Sequence, residues 1–119
     1  MSPEKARVFV AEDDSDWQDM LGEILKDAGH SVVARATNLH DALNTAKRLS
    51  SLKVDVAVID GNLSEDESRG YDGQAVLNAI RQHAPRVRTI GMSGSHVAGT
   101  DVDLGKAKAT ELGEVVRKL

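Results

Sequence analysis

Cysteine is missing from this chain, which excludes disulfides, thiolate nucleophiles and cysteine-based zinc sites. Long apolar runs are missing as well: none approaches the ~20 residues that cross a bilayer. The N-terminal stretch Met1-Ser2-Pro3-Glu4-Lys5 has no apolar signal region behind it, so a cytoplasmic location is expected by default. Cationic clusters are equally scarce. The net charge of −4 argues against a nucleic-acid-binding face, which would be basic. What is present is ordinary for a soluble globular protein: 119 residues, 40% hydrophobic and 29% charged. That length suits one core and hence one domain, residues 1–119. No repeat, low-complexity tract or linker interrupts it.

Short apolar runs alternate with amphipathic ones. Val8 to Ala11 reads as a buried strand. Ser15 or Asp16 can cap a helix to Ala28 with Trp17, Met20, Leu21, Ile24 and Leu25 on one face, and Gly29 stops it. Ser31 to Ala36 is a second strand, and Asn38 caps a helix through Leu49. Val54 to Asp60 is the third strand, followed by a polar stretch, Gly61 to Asp72. Gly73 to His83 is helical and ends before Pro85. Val87 to Met92 forms a fourth strand, Val102 to Leu104 a weak fifth, and Lys106 to Lys118 the last helix. Strands alternating with helices imply an α/β fold with a doubly wound parallel sheet. Gly94 to Asp101 carries two glycines and no apolar stripe. A parallel crossover normally needs a dozen or more residues with its helix, so the fourth helix should be short or missing. The apolar surface thereby uncovered, near Val97, Val102 and the last helix, would invite a second copy or a partner.

Two of the strands end in acid. Glu12-Asp13-Asp14 follows the first and Asp60 ends the third. In an open parallel sheet, ligands bind at the carboxyl ends of strands. Carboxylates converging there repel unless a cation sits among them, and such hard oxygens suit Mg²⁺. Alone, Glu12 and Asp13 would be an acidic turn before a helix; paired with Asp60 they become metal ligands. Asp14 and Asp16 are better read as capping residues. Asp60 can act as a nucleophile toward phosphorus, a reaction that needs little beyond Mg²⁺ and positioning. Ser93 ends the fourth strand and Lys106 follows the fifth, so both fall at the same edge. Their hydroxyl and ammonium can bind a phosphoryl group; Lys108 is the alternative cation. Asp60, Asn62 and Ser64 also mimic half of an EF-hand loop, but Glu65 and Tyr71 stand where that loop needs glycine and glutamate. The histidines show no metal-ligand spacing, and His30 reads as structural.

In order along the chain, Val8-Phe9-Val10-Ala11-Glu12-Asp13-Asp14, Asp55-Val56-Ala57-Val58-Ile59-Asp60, Tyr71-Asp72-Gly73-Gln74-Ala75-Val76-Leu77, Gly91-Met92-Ser93-Gly94 and Asp103-Leu104-Gly105-Lys106 make the chain resemble the receiver (REC) domain of two-component response regulators. The resemblance covers nearly the whole chain. It implies a flavodoxin-like, five-stranded parallel sheet of order 2-1-3-4-5. It implies that Asp60 accepts a phosphoryl group from a histidine kinase or histidine phosphotransfer protein. Glu12, Asp13, Asp60 and the backbone carbonyl of Asn62 would hold Mg²⁺, with Asp13 a direct ligand. Ser93 would take the place of the switch hydroxyl and Lys106 would contact the phosphoryl group. Catalysis would be limited to self-phosphorylation and autodephosphorylation.

The chain departs from the family pattern at Ser64 and Ala107, where prolines are usual, and at Asp103, where an aromatic switch residue often sits. The segment from Asp60 to Gly73 is longer than usual and that from Ser93 to Lys106 shorter. A stand-alone receiver is expected, with no output domain after the last helix. The alternatives are a receiver-like interaction module that signals without phosphorylation and, more remotely, a small Mg²⁺-dependent phosphohydrolase. The latter is disfavoured because no second catalytic acid follows Asp60.

Overall fold

The computed structural model describes residues 5–60, 71–92 and 99–119. In chain order its elements are β1 (Arg7–Ala11), α1 (Ser15–Asp27), β2 (Ser31–Ala36), α2 (Leu39–Ala46), β3 (Val56–Ile59), α3 (Tyr71–His83), β4 (Arg88–Gly91) and β5 (Val102–Asp103). A 3-10 helix (Lys106–Glu111) and α4 (Leu112–Lys118) follow. The five strands are parallel and ordered β2-β1-β3-β4-β5, as expected. None of the described helices is long and apolar enough to cross a membrane.

Strand alternation divides the core into two layers. Phe9, Ala11, Ala57 and Ile59 pack under α2 and α3 against Ala42, Ala46, Val76, Leu77 and Ile80. Val8, Val10, Val56, Val58 and Ile90 face the other way, against Leu21 and Leu25 of α1 and Leu112 and Val116 of α4. Burying a side chain of this size contributes about 1.5–3 kcal/mol, so these layers set the sheet register.

The helix ends follow local chemistry. Of the capping candidates Asp14, Ser15 and Asp16, Asp14 caps α1: its carboxylate accepts the N–H groups of Asp16 at 2.9 Å and Trp17 at 3.1 Å. Asn38 caps α2 as expected, accepting from Asp41 N–H at 2.8 Å. The expected single last helix is broken. Lys108, at φ −112° and ψ 24°, interrupts it, and the stretch before Leu112 lacks the apolar stripe needed for an α-helix. The α-helical half is clamped to α1. A Cβ on Gly113 would lie 2.5 Å from that of Ala28, so the two helices approach as only glycine allows. His30 spans the same junction, buried, its Nδ1 accepting from Ala6 N–H at 3.0 Å and its Nε2 3.1 Å from Gly113 O. The structural reading of His30 holds.

Between β4 and β5 the expected short or missing helix falls on residues 93–98, outside the described residues; Met92 and Gly99–Asp101 are not helical. The apolar surface expected to be uncovered there is not found among the described residues. On the face toward α2 and α3, β4 carries Thr89 and Gly91, and β5 carries Asp103 beside Gly91. Asp101 closes this edge by accepting Thr89 N–H at 2.8 Å and Thr89 O–H at 3.2 Å, while its own N–H donates to Thr89 Oγ1 at 3.1 Å. Arg81 of α3 donates to the Gly99 carbonyl. Val102 turns to the opposite, apolar layer. Among the described residues, the exposed large hydrophobic side chain is instead Met20 on α1.

Among the described residues, one non-glycine position is strained. After α2, Val54 N–H bonds Leu49 O at 3.0 Å and Lys53 N–H bonds Ser50 O at 3.1 Å, a Schellman closure with Lys53 at the left-handed position, φ 56°. Glycine is the usual residue there. A left-handed L-residue costs ~1–2 kcal/mol, and glycine's extra freedom in the unfolded chain takes back ~0.5–1 kcal/mol. Lys53→Gly should therefore stabilise the fold by about 0.5–1 kcal/mol, read as a higher urea midpoint at unchanged slope. A lower midpoint would contradict this account of the turn.

Candidate functional site

Strands β1 and β3 run in register, Val10 beside Val58 and Ala11 beside Ile59. Backbone pairing continues one residue further: Asp60 N–H donates to Ala11 O at 2.9 Å and Glu12 N–H to Ala36 O at 3.0 Å. Glu12 and Asp60 are thus delivered to the same level of the carboxyl edge. Both are buried, at 1% and 3% exposure, while Asp13 is exposed. One carboxylate oxygen from each of Glu12, Asp13 and Asp60 lies within 4.8 Å of the others.

The three consecutive acids do three different things. Glu12 turns inward, and its Oε2 accepts the Asp14 N–H at 3.2 Å. Asp13 stands on the solvent side of the cluster. Asp14 caps α1, whose N-terminus turns its positive dipole end toward this edge. Sequence reasoning missed a fourth participant, Gln18, which is 4% exposed. Its Nε2 donates to Val10 O at 3.1 Å, Glu12 O at 3.2 Å and Ala36 O at 2.8 Å. A signal was present: Gln18 shares its helix stripe with the buried Leu21, Gly22 and Leu25, so a polar residue stands where an apolar one belongs.

The other expected participants are only partly placed. Asn62 and Ser93 lie outside the described residues, and Lys106 is described in its backbone alone. That backbone is anchored at the correct edge. Leu104 and Gly105 N–H both donate to Gly91 O, at 2.9 and 3.1 Å, and Gly105 takes φ 78°, ψ 156°, a region open essentially to glycine only. Lys106 therefore begins the 3-10 helix just beyond the ends of β4 and β5. The peptide bond after Lys106 is trans, as the Ala107 substitution leads one to expect.

The three carboxylates fit a small hard cation. Opposite ligands of an octahedral Mg²⁺ stand about 4.2 Å apart, so oxygens within 4.8 Å need only slight adjustment to reach one ion. An exposed side for Asp13 leaves room for the waters that Mg²⁺ keeps.

Residues 8–116 match the family described as response regulator receiver domain. Among solved structures, the chain is similar to a CheY-like response regulator receiver domain protein from Methanospirillum hungatei. There the identity is 18%, with 96% of this chain and 92% of that one covered, at a TM-score of 0.77. It is similar to the receiver domain of a sensor histidine kinase from Pseudomonas aeruginosa with a magnesium ion coordinated in its active-site cleft. That match has 19% identity, 96% of both chains and a TM-score of 0.75. A response regulator from Burkholderia pseudomallei, with a phosphorylated aspartic acid and a calcium ion, matches at 20% identity over 95% of this chain and 66% of that one, TM-score 0.74. These likenesses show the fold. No curated protein matches.

Charges this close destabilise one another in the absence of a cation. Asp13→Asn should therefore raise the melting temperature by a few degrees in chelator-containing buffer, and salt should narrow the difference. Calorimetry showing a lower melting temperature for the variant would contradict the repulsion.

Proposed function

The chain belongs to the response regulator receiver domain family, and we propose on that footing that residues 1–119 form a phosphoacceptor of a two-component system, phosphorylated on Asp60. The observation that carries the proposal is the buried Asp60 carboxylate held within 4.8 Å of Glu12 and Asp13. A carboxylate oxygen of Asp60 attacks phosphorus. The P–N bond of a phosphohistidine breaks, its electron pair stays on the imidazole nitrogen, and an acyl phosphate forms on Asp60. The donor is a histidine kinase or a histidine phosphotransfer protein. Attack of water on phosphorus later returns the free carboxylate and inorganic phosphate.

Mg²⁺, when bound, neutralises charge on the transferring phosphoryl oxygens. Glu12, Asp13, Asp60 and the carbonyl of Asn62 hold it, Asp13 directly. Ser93 hydrogen-bonds a phosphoryl oxygen, and Lys106 pairs with one as a point charge. The magnesium in the Pseudomonas receiver and the phosphorylated aspartate of the Burkholderia protein support this reading. A downstream protein or a second copy reads the phosphorylated state; light scattering before and after phosphorylation tests the second copy.

Incubation with acetyl phosphate and Mg²⁺ should add one phosphate to the intact mass, and Asp60→Asn should abolish it without unfolding. Labelling of that variant at another residue would overturn the assignment. A wild type that takes no phosphate from acetyl phosphate or a phosphohistidine donor would favour an interaction module instead. Lys106→Ala should slow labelling with little loss of stability; unchanged kinetics would move the role to Lys108.

Mg²⁺ should also raise the melting temperature of the wild type. At a concentration of about 100 times its Kd the gain is ~2.7 kcal/mol. Asp13→Asn should respond much less, and equal shifts in both proteins would remove Asp13 from the ligand set.

A further inference from the structure

Gln18 stands at the first turn of α1 with its carboxamide beneath the acidic cluster. The three carbonyls that receive its Nε2 belong to the last turns of backbone before the site: Val10 of β1, Glu12 itself, and Ala36 at the end of β2. Two amide hydrogens are shared among three acceptors, so the group ties both strand ends and the Glu12 peptide to one helix. Its own Oε1 is buried and has no hydrogen-bond partner among the described residues. Burying an acceptor in this way is a penalty that methionine or leucine would avoid on a stripe shared with Leu21 and Leu25. Packing does not call for an amide here. Donation to these three strand-end carbonyls, that of Glu12 among them, does.

We propose that Gln18 is a positioning residue of the metal site, its carboxamide fixing the Glu12 peptide and so the separation of the Glu12 and Asp13 carboxylates. The inference rests on the Mg²⁺ reading given above. Metal ligands depend on such outer partners for their orientation. The two common hard cations depend on it unequally: Mg²⁺ demands near-ideal octahedral geometry, whereas Ca²⁺ accepts irregular ligand sets. Releasing the Glu12 peptide should therefore penalise Mg²⁺ more than Ca²⁺.

The test is titration of wild type and Gln18→Met with Mg²⁺ and, separately, Ca²⁺. Binding is followed through Trp17, the one tryptophan of the chain, which lies in the first turn of α1. The Mg²⁺ Kd is expected to rise about tenfold or more, with a clearly smaller rise for Ca²⁺. An equal loss for both ions would make Gln18 a packing residue and overturn the proposal, as would no loss for either. A wild type that binds no Mg²⁺ would instead remove the metal reading itself. Should Gln18→Met fail to fold, the wild type serves: in NMR spectra the Gln18 side-chain NH₂ signals should be protected from exchange and should shift in step with the Asp13 backbone amide, which shares its peptide with the Glu12 carbonyl, as Mg²⁺ is added. Signals that exchange freely or ignore the ion would overturn the assignment.

Discussion

Two carboxylates buried at the ends of adjacent parallel strands are the constraint around which this molecule is arranged. Removing an ionised group from water costs several kcal/mol. Glu12 and Asp60 nonetheless sit at 1% and 3% exposure. The surrounding structure supplies what such burial needs. The in-register pairing of β1 and β3 fixes where the carboxylates stand. The Asp14 N–H donates to Glu12, and the N-terminus of α1, capped by Asp14, turns its positive end toward them. The apolar layers on either side of the sheet carry none of this charge. They hold the register that aims it, which is why the chemistry can be concentrated in a few residues at one edge.

The far edge of the sheet solves a different problem. An apolar strand face at the edge of a sheet needs cover. The face carries Thr89, Gly91 and Asp103 instead, and Asp101 bonds to both the backbone and the side chain of Thr89. The inward side of the same strands is unchanged, with Ile90 and Val102 in the layer under α1 and α4.

Much of this was legible in the residues. Ser31–Ala36 is a strand with the expected bounds, and the convergence of Glu12, Asp13 and Asp60 follows from acids placed directly after apolar strand runs. Such signals are local: period, caps, and the residue that ends a strand. What was not legible depends on contacts between distant parts of the chain. Asp101 reads as a loop acid until Thr89 lies beside it. Gln18 stays outside the apolar stripe of Trp17, Met20, Leu21, Ile24 and Leu25, whereas the buried face runs through Gln18, Leu21, Gly22 and Leu25 and leaves Met20 at 41% exposure. The break at Lys108 lay in the missing apolar spacing before Leu112, a weak signal beside the strong stripe that follows.

The two edges differ in how firmly they are held. On the α1 side, α4 is fixed by the Gly113–Ala28 approach, by His30 and by the Arg117 guanidinium, which donates to Ala28 O at 3.0 Å. At the β5 side a strand of 2 residues is held by hydrogen bonds, each worth about 0.5–1.5 kcal/mol net, and by the partly buried Val102 and Leu104. Buried apolar side chains contribute about 1.5–3 kcal/mol apiece, so the β5 edge belongs to the less stable part of the fold. It is also joined directly to the site: Gly91 O receives both Leu104 and Gly105 N–H, and Lys106 follows at once. The short β5 strand is thus tied, through the Gly91 carbonyl, to the backbone that leads directly into Lys106.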